Sequence, residues 1–182
     1  YRLTNNNCTE LSSIYIGGGT PTSLSDEGFK DILDFASQYL EQDYEFTVEA
    51  NVENLTESKL GIMKSCGVNR LSIGVQSTCN KVLKEIGRRH SFEDAQKVVE
   101  LAKSKGFSNI NIDLIYGFNN ETLDDLKKDL EEFIKLDVDH ISIYSLIVEQ
   151  GSIFYNQKYK TQDEEDQDDQ DDILNDLIKG KK

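Results

Sequence analysis

The chain has 182 residues, enough for one sizeable hydrophobic core, and its 34 acidic against 20 basic side chains give a formal charge of −14. Such a balance argues against nucleic acid as the main partner, because phosphate binding needs clustered Lys and Arg, and against anionic membrane surfaces for the same reason. No apolar run approaches the roughly 20 residues needed to span a bilayer.

In chain order, strand, short loop and helix alternate. Residues 12–16 (SSIYI) form a short β-rich run that breaks into Gly17-Gly18-Gly19. A helix is predicted from about Ser25, with Phe29, Ile32, Leu33, Ala36 and Leu40 at helical spacing. Residues 44–50 alternate and put Phe46, Val48 and Ala50 on one face; Thr56 then caps a helix that ends at Gly67. Residues 69–76 alternate through Leu71, Ile73 and Val75. Ser91 and Asp94 make an S-x-x-D start signal for a helix that stops at Gly106, and residues 109–116 are the fourth predicted strand. Thr122 opens a helix carrying Leu123, Leu126, Leu130, Phe133 and Ile134, and residues 139–147 are the fifth strand.

Five strands alternating with four helical segments predict an α/β fold with a parallel sheet and right-handed crossovers. Polar residues stand at or just after the carboxyl ends of successive strands: the glycine run, Glu49, Gln76 and Asp113. That suits the mouth of a partial parallel (β/α) barrel better than a doubly wound sheet, whose ligand usually sits at one switch point. Residues 1–160 are expected to form this core. Residues 161–182 differ: nine acidic residues against three lysines, beginning TQDEEDQDDQDD, predict a disordered or solvated linker. Ile173, Leu174, Leu177 and Ile178 could follow it as one short amphipathic helix.

The glycine run leaves the sheet with no side chains for three residues, which permits positive φ and close approach of a ligand, and free N–H groups there suit a carboxylate or another anion. It matches neither GxGxxG nor GxxxxGK[ST], and by itself it also reads as a tight strand-to-helix turn. Arg88, in Gly87-Arg88-Arg89-His90, reads by itself as an exposed basic pair. Asp113 falls inside an apolar alternation, where a carboxylate is costly unless paired, and so points to function. Glu49 and Gln76 by themselves read either way. His90 and His140 are too far apart in sequence to suggest paired ligands, and Tyr144 and Tyr155 read as packing residues of core or rim. The three cysteines, Cys8, Cys66 and Cys79, are scattered and match no zinc, iron–sulfur or disulfide pattern, so no metal ligands are assigned and a reducing compartment is expected.

IYIGGGTPTSL, EFTVEANVENLT, VNRLSIGVQS, NINIDLIYG and HISIYSLIVEQGSIFY, in this order and spacing, resemble successive segments of the radical S-adenosylmethionine (SAM) proteins of the oxygen-independent coproporphyrinogen oxidase and HemW heme-chaperone group. The likeness covers roughly residues 12–156, and its last segment is closer to the HemW branch. It implies a radical SAM half-barrel with SAM and a [4Fe–4S] cluster as cofactors, and porphyrin or heme as ligand. Carried over by position, it implies SAM contacts at Gly18, Gly19, Thr20, Glu49, Gln76, Arg88 and Asp113. Arg88 could take the methionyl carboxylate as a bidentate pair, Asp113 or Gln76 the ribose hydroxyls, and Glu49 an ammonium group. No catalytic residue is assigned.

The group's CxxxCxxC motif does not occur in the sequence, and Gly117-Phe118-Asn119-Asn120 and Ser77-Thr78-Cys79 depart from its usual loops. The chain, which starts at Tyr1, is expected to be part of a longer protein that holds the motif, the first strand and any targeting segment. On its own it is expected to be inactive. Three functions stay open: a HemW-like chaperone that carries heme to apo-hemoproteins, a coproporphyrinogen III oxidase that decarboxylates propionates through a 5′-deoxyadenosyl radical, and a degenerate non-catalytic paralogue. The expected compartment is the cytoplasm, or a mitochondrial or plastid-type organelle.

Overall fold

The structure, a computed structural model, describes residues 10–118 and 120–147. Its elements are β1 (Leu11–Ile16), α1 (Asp26–Ser37), β2 (Leu40–Asn51), α2 (Glu57–Ser65), β3 (Arg70–Gln76), α3 (Asn80–Glu85), α4 (Phe92–Ser104), β4 (Asn109–Tyr116), α5 (Leu123–Lys135) and β5 (His140–Ser145). Short 3₁₀ turns at Pro21–Ser23 and Val52–Asn54 follow β1 and β2. The readings of Cys8, Tyr155 and residues 161–182 lie outside the described residues.

The caps read from the sequence are made. Ser25 accepts from Gly28 N–H at the start of α1, and Thr56 accepts from Lys59 N–H at the start of α2. Ser91 with Asp94 and Thr122 with Asp125 form full capping boxes on α4 and α5, each satisfying two orphan donors. Gly67 and Gly106 leave their helices at φ values of 87° and 84°.

All strand pairings are parallel, and the order across the sheet is β1-β2-β3-β4-β5. Each crossover advances one place in the same direction, so among the described strands the order never reverses and there is no switch point. That is the wall of a partial barrel rather than a doubly wound sheet. One face of the sheet is apolar: Phe46, Val48, Leu71, Ile73, Val75, Ile110, Ile112 and Leu114 are buried with Phe29, Leu33, Leu60, Met63, Val99 and Phe133 from the covering helices. Each such side chain contributes about 1.5–3 kcal/mol by leaving water.

Three readings need correction. Leu40 is the first residue of β2, not the end of α1; it sits four after Ala36 and so mimicked a helical position. β3 and β4 are joined by two helices, because Asn80–Glu85 forms α3, six residues that are too short to show a period. Ile134, read as a core position of α5, is 67% exposed, whereas Leu126 and Phe133 carry that helix's contact. Among the described residues no helix is long and apolar enough to cross a membrane.

Candidate functional site

The other face of the sheet is polar, and the register arranges it in rows. Glu49 stands opposite Ser72, and Ser72 opposite Asn111. In the next row towards the carboxyl ends, Asn51 stands opposite Gly74, Gly74 opposite Asp113, and Asp113 opposite Ser142. A period of two puts these residues back to back with the apolar core face. Of these, Glu49, Asn51, Ser72, Gly74 and Asp113 line a cleft of about 240 Å³ together with Gly19, Thr20, Pro21, Gln76, Arg88 and Tyr144.

Two glycines make room for the side chains that shape this cleft. One residue past the Ile16–Val48 pairing, a Cβ on Gly17 would lie 2.5 Å from Cδ of Glu49. A Cβ on Gly74 would lie 2.7 Å from Nε2 of Gln76 and 3.7 Å from Nη2 of Arg88. Both distances to the nearer atom are below any real Cβ contact, so each glycine holds open the volume that a polar side chain of the cleft fills. Gly18 and Gly19 turn the loop back over the strand ends with φ values of 79° and 52°, in the region that favours glycine.

Hydrogen bonds fix the polar side chains. Glu49 accepts from Tyr15 OH at 2.7 Å through Oε1 and from Gly18 N–H at 2.9 Å through Oε2. Gly18 therefore spends its N–H on Glu49 and is not among the residues that line the cleft. The amide of Asn51 donates to Thr20 Oγ1 at 2.9 Å and ties the glycine loop to β2. The amide of Asn111 donates to Ser72 Oγ and to Asp113 Oδ1, each at 2.8 Å, and its carbonyl accepts from Ser142 Oγ at 2.9 Å.

Burial holds the Asp113 carboxyl above the usual carboxylate range against the lowering effect of the Asn111 hydrogen bond, and the Glu49 charge adds to the rise. Tyr15 is pushed up to about 12 by desolvation, by its hydrogen bond to Glu49 and by that carboxylate's charge. Arg88 is half-buried, and its guanidinium has no hydrogen bond or ion pair with any described residue. An unpaired cation thus faces a cleft that also holds Glu49 and Asp113, an arrangement that suits a ligand with both charges.

The loop that carries Arg88 is anchored from below. Arg89 N–H donates to Glu53 Oε1 at 3.0 Å; buried His90 places Nδ1 3.0 Å from the same oxygen and Nε2 3.2 Å from the carbonyl of Val75. Burial raises the Glu53 carboxyl, but the hydrogen bonds from Arg89, its own backbone and His90 outweigh it and bring the group to about 2. His90 therefore braces the site.

Of the residues singled out in the sequence, Gly19, Thr20, Glu49, Gln76, Arg88 and Asp113 line one cleft. Tyr15, Asn51, Ser72, Gly74 and Tyr144 were missed, and Tyr144, read as packing, is 55% exposed at the cleft. Counting back by two from Gln76 and Asn51 would have found Ser72, Gly74 and Glu49 on one face; Tyr15 and Tyr144 gave no local signal. A second cleft of about 600 Å³ lies beyond Gln76, between the loop that follows β3 and α5, and it contains Cys79. Cys66 is buried and donates to Asp34 Oδ1 at 3.1 Å. Among the described residues, no group of three or more His, Cys, Asp or Glu could hold a metal ion.

The profile of the radical SAM superfamily matches residues 7–133. The chain is 44% identical over 154 residues to the heme chaperone HemW of Bacillus subtilis (strain 168), covering 83% of this chain and 41% of that one. It is 37% identical over 147 residues to the heme chaperone HemW of Escherichia coli (strain K12), covering 80% and 39%. The chain thus spans about two fifths of the length of these curated relatives. Among solved structures, the coproporphyrinogen III oxidase HemN of Escherichia coli, a radical SAM enzyme, superposes with a TM-score of 0.75 at 24% identity, over 94% of this chain and 40% of that one, a likeness of fold.

Proposed function

The chain belongs to the radical SAM superfamily, and on that premise we propose that it is the core of a HemW-like protein of heme metabolism whose cleft binds SAM. The observation that carries the reading is the unpaired Arg88 guanidinium facing Glu49 and Asp113 across one cleft. A methionyl headgroup has a carboxylate and an ammonium group, so it complements both signs at once. Arg88 would take the carboxylate as a charge-assisted pair, and Glu49, already oriented by Tyr15 and Gly18, would accept from the ammonium. Asp113 and Gln76 offer partners for the ribose hydroxyls, and Gly19 and Thr20 let the ligand approach the backbone. When bound, SAM supplies an activated sulfonium. The side chains of the cleft bind and orient it.

A [4Fe–4S] cluster follows from the superfamily, but this chain's cysteines do not fit one: Cys66 is in the core, Cys79 lies in the other cleft, and no CxxxCxxC spacing occurs. Its ligands would have to come from outside the residues of this sequence. Identities of 34–44% to curated relatives named heme chaperone HemW favour that branch, with heme as ligand and an apo-hemoprotein as partner.

The test uses the intact protein with its cluster, kept anaerobic. SAM should bind, and Arg88→Ala should weaken it roughly 10–100-fold, the loss of a hydrogen-bonded charge pair. Heme titration should give a stable Soret band without turnover of coproporphyrinogen. Turnover would assign the oxidase activity instead, and neither SAM nor heme binding would leave a degenerate paralogue.

A further inference from the structure

Gln76 lies at the end of β3 with a φ of 77°, the left-handed region that residues with a Cβ adopt only when their surroundings hold them there. The β3–β4 register slips at this point: Gly74 pairs with Asp113, but Gln76 pairs with the very next residue, Leu114. This is a bulge, a device that re-aims a side chain. Here it lets the Gln76 amide lie over Gly74 at the cleft.

The residues that follow are held by a different element. Ser77 Oγ donates to Asp129 Oδ2 at 2.8 Å, and Thr78 Oγ1 donates to Asp129 Oδ1. Ser77 Oγ also accepts from Cys79 N–H at 3.0 Å, so donation runs in one direction from the loop backbone to the carboxylate. Asp129 sits within α5 and is 5% exposed. A buried carboxylate is costly unless its oxygens are satisfied, and here each accepts from one hydroxyl of this loop.

We infer that Asp129 is a positioning residue: acting through Ser77 and Thr78, it holds Gln76 in its left-handed bulge so that the amide points into the cleft. The significance for SAM rests on the function proposed above, whereas the positioning of Gln76 does not.

The experiment therefore reads both. In the intact protein labelled with ¹⁵N-glutamine, the side-chain amide resonance of Gln76, assigned by its loss in Gln76→Ala, should shift and broaden in Asp129→Asn, which keeps one acceptor of two. Thr78→Val, which removes one hydroxyl at a half-buried position, should shift it less and serves if Asp129→Asn does not fold. An unchanged resonance in a folded variant overturns the inference, whether or not SAM binds. In SAM binding, Asp129→Asn should weaken affinity roughly tenfold, but it should have no further effect in a Gln76→Ala background. Equal weakening in both backgrounds would mean a merely structural role and also overturns it. Absence of SAM binding in the unmodified protein counts against the proposed function, and the resonance still decides the inference.

Discussion

At the scale of single residues, the cleft is built from side chains whose space and charge are set by neighbours. Gly74 shows the first. Gly74→Ala places a methyl where the Gln76 amide lies, 2.7 Å away, so the amide must leave. The expected result is SAM affinity weakened roughly tenfold with thermal stability changed by less than about 1 kcal/mol, measured by calorimetry on the intact protein. Tyr15 shows the second. Its hydroxyl is held protonated to about 12 beside Glu49, so its contribution to stability is complete below pH 10 and lost as pH rises from 10 towards 12. Absorbance titration at 295 nm should find one tyrosine that ionises well above the others, and Tyr15→Phe should remove that component. A titration unchanged by the substitution would contradict the Tyr15–Glu49 contact.

At the scale of elements, helix starts matter because loops that reach the site run into them. Ser91 caps α4 directly after the Arg88–His90 loop, and its capping box satisfies the first turn of that helix. Ser91→Ala should cost about 1 kcal/mol in denaturant unfolding. Because the brace from Glu53 to Arg89 and His90 is one residue away, it should also loosen the Arg88 loop, read as faster amide exchange at Arg89. Fast exchange confined to α4 would separate the cap from the site. The S-x-x-D spacing made this start readable in the sequence, because a capping box is local chemistry; for α5 only Thr122 was read, and its Asp125 partner came from the structure. Helix α3 was not readable, because six residues show no period, and the Leu40 misreading arose where helical spacing ran on into a strand.

At the scale of the molecule, the five-stranded sheet has two edges, β1 and β5, with no further strand among the described residues. Apolar side chains stand exposed near both: Phe35 at 61% and Ile32 at 45% on α1, Ile134 at 67% on α5 and Ile143 at 46% on β5. Unpaired edges beside apolar surface are a liability that net charge only partly offsets. The 182-residue chain by itself should therefore self-associate at high concentration; light scattering that shows a monodisperse monomer would refute this.

What the sequence by itself determined was everything written in local pattern: the alternation of strands and helices, the caps, the apolar face of each strand, and the order of motifs that identifies the superfamily. It also marked Asp113 as a carboxylate out of keeping with its apolar surroundings, whereas Glu49, Gln76 and Arg88 were assigned to a site only through the family resemblance. Only the tertiary structure decided which polar residues share a row, since register between strands is a relation that no single strand carries. It alone showed that Gly17 and Gly74 are spaces for Glu49 and Gln76, and that Gly18 gives its N–H to Glu49. It alone brought Asp129 to Ser77 across 52 residues. Periodicity is a property of neighbours along the chain, whereas a cleft is made by neighbours across it, and those are set by packing.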